Sequence, residues 1–241
     1  MVLIKYTFIK ERKMARYTED QIVKIIEQQI NPPCKDWYKS NLTAKSYCEF
    51  ASREIIEVFK NNGDVLPDIE PDASCTYNSG KRSSIRALLK DSLGNAAALD
   101  SYINKTNRRE ERMCHCIYAQ QFAGEYEAID YQVPTTNGGH DKIDLVLKKG
   151  DTVYITETKY FGSSETILRC VLEIQTYRQK LNDKFFEAYK IPKEKLVNAV
   201  LISEDTLAYR QLKTQWAQEL MRAFKIKLLT LSHDGSAFYI S

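Results

Sequence analysis

One stretch, residues 142–159, constrains this chain more than any other. Two β-forming runs, 142–148 and 152–159, meet at Lys148-Lys149-Gly150-Asp151, and the glycine gives that turn the backbone freedom tight hairpins use. Side chains alternate between the two faces of a strand. Val153, Ile155, Glu157 and Lys159 therefore share one face, and Tyr154, Thr156 and Thr158 the other. On the partner run Ile143, Leu145 and Leu147 form the apolar set, with Asp144 and Val146 opposite. Continuing an apolar face with an acid and an amine costs several kcal/mol (~2–7 for a polar group, more for a charge) unless the charges are paired or hold a metal. The hairpin thus gathers two carboxylates, Asp144 and Glu157, and one ammonium, Lys159, at one end of neighbouring strands.

Asp144 stands in Lys-Ile-Asp-Leu-Val-Leu, and Glu157 and Lys159 in Ile-Thr-Glu-Thr-Lys. In these residues the chain resembles the PD-(D/E)xK phosphodiesterases, which include restriction-type and RecB-like nucleases. Leu172-Glu173-Ile174-Gln175-Thr176-Tyr177 is similar to the helix that RecB-like members carry after the motif, where Gln-x-x-x-Tyr is usual. Two departures stand out: Ile143 replaces the motif proline, and Glu173 replaces the glutamine, with Gln175 close by. The resemblance implies an α/β fold with a restriction-endonuclease-like core, a mixed central sheet flanked by helices. It also implies a metal-dependent nuclease that hydrolyses DNA.

In that expectation Asp144, Glu157 and the backbone carbonyl of Thr158 hold Mg²⁺ or Mn²⁺, ions that suit hard oxygen donors and keep several waters. Lys159 orients the attacking water and offsets transition-state charge. The helix before the first core strand donates one more acid. Glu110 and Glu111 are the candidates there, and Glu111 is preferred. Gln175, Tyr177 and Arg178 are expected to contact substrate, Arg178 through phosphate. Plainer readings exist for each. A hairpin Asp, Glu and Lys also form solvated cross-strand ion pairs, Glu111 among arginines also makes exposed i,i+4 pairs, and Tyr177 also packs in a core with its hydroxyl at the rim. His140 and Asp141 precede the hairpin, and Asp141 is the rival to Asp144 as ligand. The competing functional reading is a non-catalytic DNA-binding or assembly module on the same scaffold, and a more distant one is a helical interaction protein.

The order of elements supports a nuclease-like core over 94–241. A helix is expected over 94–124, a strand over 126–133, and the hairpin. A helix capped by Ser163 or Ser164 follows, with the stripe Ile167, Val171, Ile174 and Leu181. A buried strand over 196–202, a helix over 205–224, a strand over 225–231 and an edge strand at Phe238-Tyr239-Ile240 complete the layout. Residues 1–93 read as a helical N-terminal region, with helices after Thr18 (ended by Pro32-Pro33), over 42–60 and over 83–89, whose simplest role is to cover the sheet.

Charge supports a nucleic-acid partner only locally. Lys and Arg number 35 against 32 Asp and Glu, so basic patches carry the expectation: Lys10, Arg12, Lys13 and Arg16; Lys81, Arg82 and Arg86; Arg108, Arg109 and Arg112. The six cysteines form no C-x₂-C pair, which argues against a zinc ribbon, and they are read as buried thiols. None follows Cys170, which argues against a C-terminal iron-sulfur cluster. No run approaches the ~18 apolar residues of a membrane span, and Met1-Val2-Leu3-Ile4-Lys5 is too quickly charged for a secretory signal. A cytoplasmic location without membrane contact is the expectation. A two-fold homodimer would suit double-strand cutting, although no residue demands one.

Overall fold

The computed structural model describes residues 18–30, 37–67, 69–77, 83–139 and 141–241. Pro32-Pro33, Lys10, Arg12, Lys13, Arg16, Lys81, Arg82, Cys34 and His140 lie outside the described residues. Among the described residues, seven strands form a mixed sheet in sequence order: β1 (Phe122–Ala123), β2 (Tyr126–Pro134), β3 (Lys142–Lys149), β4 (Thr152–Thr158), β5 (Leu196–Ile202), β6 (Lys227–His233) and β7 (Phe238–Ile240). The first four make an antiparallel meander. β4, β5 and β6 then run parallel, and β7 returns antiparallel. Parallel neighbours need a crossover. α6 (Ile167–Lys180) and α7 (Asp183–Tyr189) supply the first, α8 (Leu207–Gln211) and α9 (Gln215–Ala223) the second.

Helices bury both sheet faces, which is why β3 and β5 read as almost continuous apolar runs. On one face Val146, Val153, Ile155 and Val200 pack with Val171 and Ile174 of α6 and with α1 (Glu19–Ile30), α2 (Cys48–Asn61) and α9. On the other, Leu145, Leu147, Ala199 and Leu201 pack with α3 (Ser83–Leu89), α4 (Ala96–Asn104) and α5 (Arg109–Gln120) through Leu89, Leu99, Met113 and Ile117. Each such side chain contributes roughly 1.5–3 kcal/mol on burial. The N-terminal helices therefore join both cores. Among the described residues, no helix is long and apolar enough to cross a membrane.

Several expected elements are divided, each for a local reason. The helix expected over 94–124 is two, α4 and α5. Asn95 caps the first through the Ala98 amide at 3.1 Å. Thr106 Oγ1 then accepts from the Arg108 amide and Arg112 Nε, both at 3.2 Å, the kind of side-chain bond that competes with helix continuation. The helix expected over 205–224 is α8 and α9, separated where Thr214 turns extended and its hydroxyl donates to the Gln211 carbonyl at 2.6 Å. Thr166, rather than Ser163 or Ser164, caps α6, accepting from the Arg169 amide. The stretch expected to be helical over 42–60 becomes α2 only at Cys48, after a short 3-10 turn at Asn41–Thr43. The last parallel strand covers 227–233 rather than 225–231. At α1 the sequence signal holds in detail: Thr18 and Gln21 exchange amide bonds at 2.8 and 3.3 Å, a reciprocal capping pair.

Candidate metal centre

The sheet register assembles the site. β3 pairs with β4 at Leu145↔Thr156 and with β2 at Tyr131↔Leu145. One step further along both ladders sets Gln132, Asp144 and Glu157 in a row. The row is bonded across: Gln132 Nε2 donates to Asp144 Oδ1 at 2.9 Å, and the Thr158 amide donates to Asp144 Oδ2 at 2.8 Å. Both Asp144 oxygens are thereby fixed, as a buried carboxylate requires. Gln132 itself has φ +49°. That left-handed conformation is costly for a non-glycine residue, on the order of 1–3 kcal/mol. It occurs at the residue facing Asp144.

Glu110 enters from α5. Its carboxylate accepts from the Tyr160 amide at 3.1 Å and from Lys159 Nζ at 3.4 Å. One carboxylate oxygen from each of Glu110, Asp144 and Glu157 lies within 4.8 Å of the others. Oxygens bound to one Mg²⁺ are about 2.9 Å apart when adjacent and about 4.2 Å when opposite, so the three would close on a single ion by moving inward.

Lys159, 3% exposed, is ringed by acids. Its Nζ is in contact with Glu157 and reaches Glu165 at 2.9 Å, Glu110 at 3.4 Å and Glu173 at 3.8 Å. Arg169 Nε lies 3.4 Å from Glu165 and 3.9 Å from Glu173. The Tyr177 hydroxyl donates to the other Glu173 oxygen at 2.8 Å. Among the described residues, five carboxylates (Asp144 and four glutamates) thus face one ammonium and one guanidinium, an excess of three negative charges when all are ionised. Such a surplus in a buried site is resolved by proton uptake or by a cation. Burial, with the neighbouring acids, pushes the Asp144 and Glu157 carboxyls well above the usual carboxylate range, and burial likewise raises Glu110. For Lys159, burial alone would lower the ammonium, but Glu157, Glu110 and Glu173 outweigh it and hold it well above the ordinary lysine value. The donor set, the close approach of three acids and the charge surplus all fit a hard divalent cation.

Asp144, Glu157 and Lys159 are brought together as expected from the sequence. Glu111 is not: its carboxylate lies 3.5 Å from Arg108 and 3.8 Å from His115, and Glu110 takes the inward position. Helical geometry explains the exchange. Glu110 lies on the stripe of Met113, Cys114 and Ile117, all fully buried, whereas Glu111 faces His115 one turn on. Thr158 is present through its amide. Gln175 turns to Gln179 and Asn198, at 3.1 and 2.9 Å. Arg178 donates to the Lys193 carbonyl at 3.3 Å and lies over Phe186, so both support α6 packing and not the acid cluster. Tyr177 reaches the cluster through Glu173, its ring edge-on to Tyr38 at 5.8 Å. Asp141 belongs to a separate buried group with Tyr38 and Lys180, at 2.8 and 2.6 Å. Sequence reasoning missed Gln132, Glu110 as the inward acid, Glu165 and Arg169. The buried stripe of α5 could have found Glu110. Glu165 sits in a loop that carries no periodic signal.

Of the basic patches, Arg86 is tied to the Tyr118 and Ala128 carbonyls. Arg108 and Arg109 remain exposed beside Glu110. The five described cysteines are buried free thiols. Compared with family models, with curated proteins and with solved structures, the chain matches none.

Proposed function

We propose that this chain is a divalent-metal-dependent phosphodiesterase of the PD-(D/E)xK type, built on a restriction-endonuclease-like core, that hydrolyses DNA. The observation that carries the reading is the convergence of Glu110, Asp144 and Glu157 within 4.8 Å beside the buried Lys159. Glu110, Asp144 and Glu157 would hold Mg²⁺ or Mn²⁺, with the Thr158 carbonyl as a further donor.

A bound ion would supply Lewis-acid stabilisation of phosphoryl charge and a more acidic water. The protein's own part is positioning and charge. Gln132 and the Thr158 amide hold Asp144 in one orientation. Glu110 anchors the end of β4 through the Tyr160 amide, and so fixes where Lys159 emerges. Lys159, kept protonated by its carboxylate ring, orients water and offsets the charge that grows on the phosphoryl oxygens. Glu173, held by Tyr177, keeps that ammonium centred.

Purified wild type, Lys159→Ala and Glu110→Gln incubated with linear and circular DNA, and with RNA, in Mg²⁺, Mn²⁺ or EDTA test the reading. Metal-dependent cleavage of DNA by wild type alone supports it. Equal behaviour of all samples favours the non-catalytic DNA-binding module.

A further inference from the structure

A cavity of about 180 Å³ opens beside the acid cluster, between α4, the residues after β4 and the β6–β7 turn. We infer that it receives one nucleobase of the substrate strand, with preference for a base bearing an amino group. This inference rests on the nucleic-acid reading above. Two kinds of group line it, and a third lies close by.

The first is aromatic. Tyr160 and Phe161 follow Lys159 directly, and the Phe161 ring meets the His233 ring at 4.6 Å. Phe238 lies beyond His233, while Leu99 and Ile103 supply an apolar floor. Aromatic walls of this kind bind bases by stacking.

The second is polar. Asp100, exposed on α4, lines the cavity, and a carboxylate there accepts hydrogen bonds. The Asn104 amide fixes one of its oxygens at 2.7 Å. The Gly235 amide donates to His233 Nδ1 at 3.2 Å, so the neutral ring carries its proton on Nε2. An acceptor and a donor thus border an apolar slot, the composition of a base-reading pocket.

The third is cationic. The Arg109 guanidinium lies 5.8 Å from the Tyr160 ring centroid, is exposed, and precedes Glu110 in sequence. Among the described residues it forms no ion pair with a carboxylate. It neighbours Tyr160, which lines the cavity, and precedes Glu110 of the acid cluster, so it suits the phosphate of a nucleotide held in the cavity. Cytosine offers an amino group to Asp100 where thymine offers a carbonyl oxygen, so two pyrimidines of similar stacking separate the polar contact from the aromatic one.

Fluorescence anisotropy with labelled single-stranded oligodeoxycytidine, oligodeoxythymidine and an abasic strand, with Ca²⁺ replacing Mg²⁺ and again in EDTA, tests the pocket. Wild type is expected to bind the cytidine strand about five-fold more tightly than the thymidine strand. Phe161→Ala should weaken both base-bearing strands by roughly ten-fold and leave the abasic strand unchanged. Asp100→Ala, a change on an exposed helix face, should bring the cytidine-to-thymidine ratio close to one. Equal wild-type affinity for all three strands, no binding at all, or variants indistinguishable from wild type overturns the inference. Absence of cleavage in Mg²⁺ with base-dependent binding intact sinks the nuclease reading and leaves the pocket standing.

Discussion

Glu110 and Lys159 are 49 residues apart and meet at 3.4 Å, a contact that joins α5 to the end of β4. With the Tyr160 amide on its second oxygen, Glu110 is positioned from both sides, while Glu111 points to Arg108 and His115. Glu110→Gln is therefore expected to lower activity and Mn²⁺ affinity by at least the roughly 10- to 100-fold that loss of an outer partner costs a metal site. Glu111→Gln should stay within two-fold or so of wild type, as surface changes usually do. Steady-state cleavage and Mn²⁺ titration of the two variants compare them directly.

Lys159 answers to four carboxylates. Replacing it with Met leaves them without their shared ammonium, so the variant should lose on the order of 3–5 kcal/mol in urea unfolding with EDTA present. Its activity should fall roughly 10²- to 10³-fold, the size seen when one group facing developing charge is removed. Mn²⁺ should still bind, because the variant keeps all three acids. Loss of Mn²⁺ binding together with activity would place Lys159 in metal retention instead.

The pH dependence follows from the raised carboxyls of Asp144 and Glu157. Their folded-state values exceed those of the unfolded chain, so the folded protein holds more protons across that interval. Their stabilising contribution is complete below the ordinary carboxylate range and is lost as pH climbs through the raised values. In EDTA the melting temperature should fall as pH rises above the ordinary carboxylate range. A saturating divalent ion takes the place of the protons and should flatten the decline. Differential scanning fluorimetry with and without Mn²⁺ reads both arms, and a flat profile in EDTA contradicts the assignment.

Asp141 and Lys180 form a second buried pair at 2.6 Å, completed by the Tyr38 hydroxyl. Burial would raise the Asp141 carboxyl, but bonds from Lys180 and Tyr38 outweigh it and lower it. Asp141→Ala removes the carboxylate that Lys180 and Tyr38 contact and should cost about 3–5 kcal/mol, whereas a paired Asp141→Leu, Lys180→Met change should cost much less. Urea unfolding of both separates the cases.

Periodicity made the hairpin legible: Asp144, Glu157 and Lys159 lie at one end of neighbouring strands because alternation leaves them no other placement once Val146 and Ile155 are buried. It also revealed the run of strands and the α6 stripe. Breaks that depend on one hydroxyl were not legible, because Thr106 and Thr214 act through bonds that no hydrophobic pattern encodes. The choice between Glu110 and Glu111 turned on the buried stripe of Met113, Cys114 and Ile117, which the flanking arginines obscured. Gln175 and Arg178 were set near the site by sequence proximity to Tyr177, yet on α6 they face Asn198 and Lys193. Gln132 depends on register across a bulge between Ala128 and Asp130, and only coordinates resolve that.

On the proposed reading Glu110, Asp144 and Glu157 form one cation site. Anomalous scattering from a crystal soaked in Mn²⁺ tests it most directly. A single strong peak among the Glu110, Asp144 and Glu157 oxygens, absent in Asp144→Asn, is the expected result. Saturating Mn²⁺ with no peak at those oxygens would contradict it.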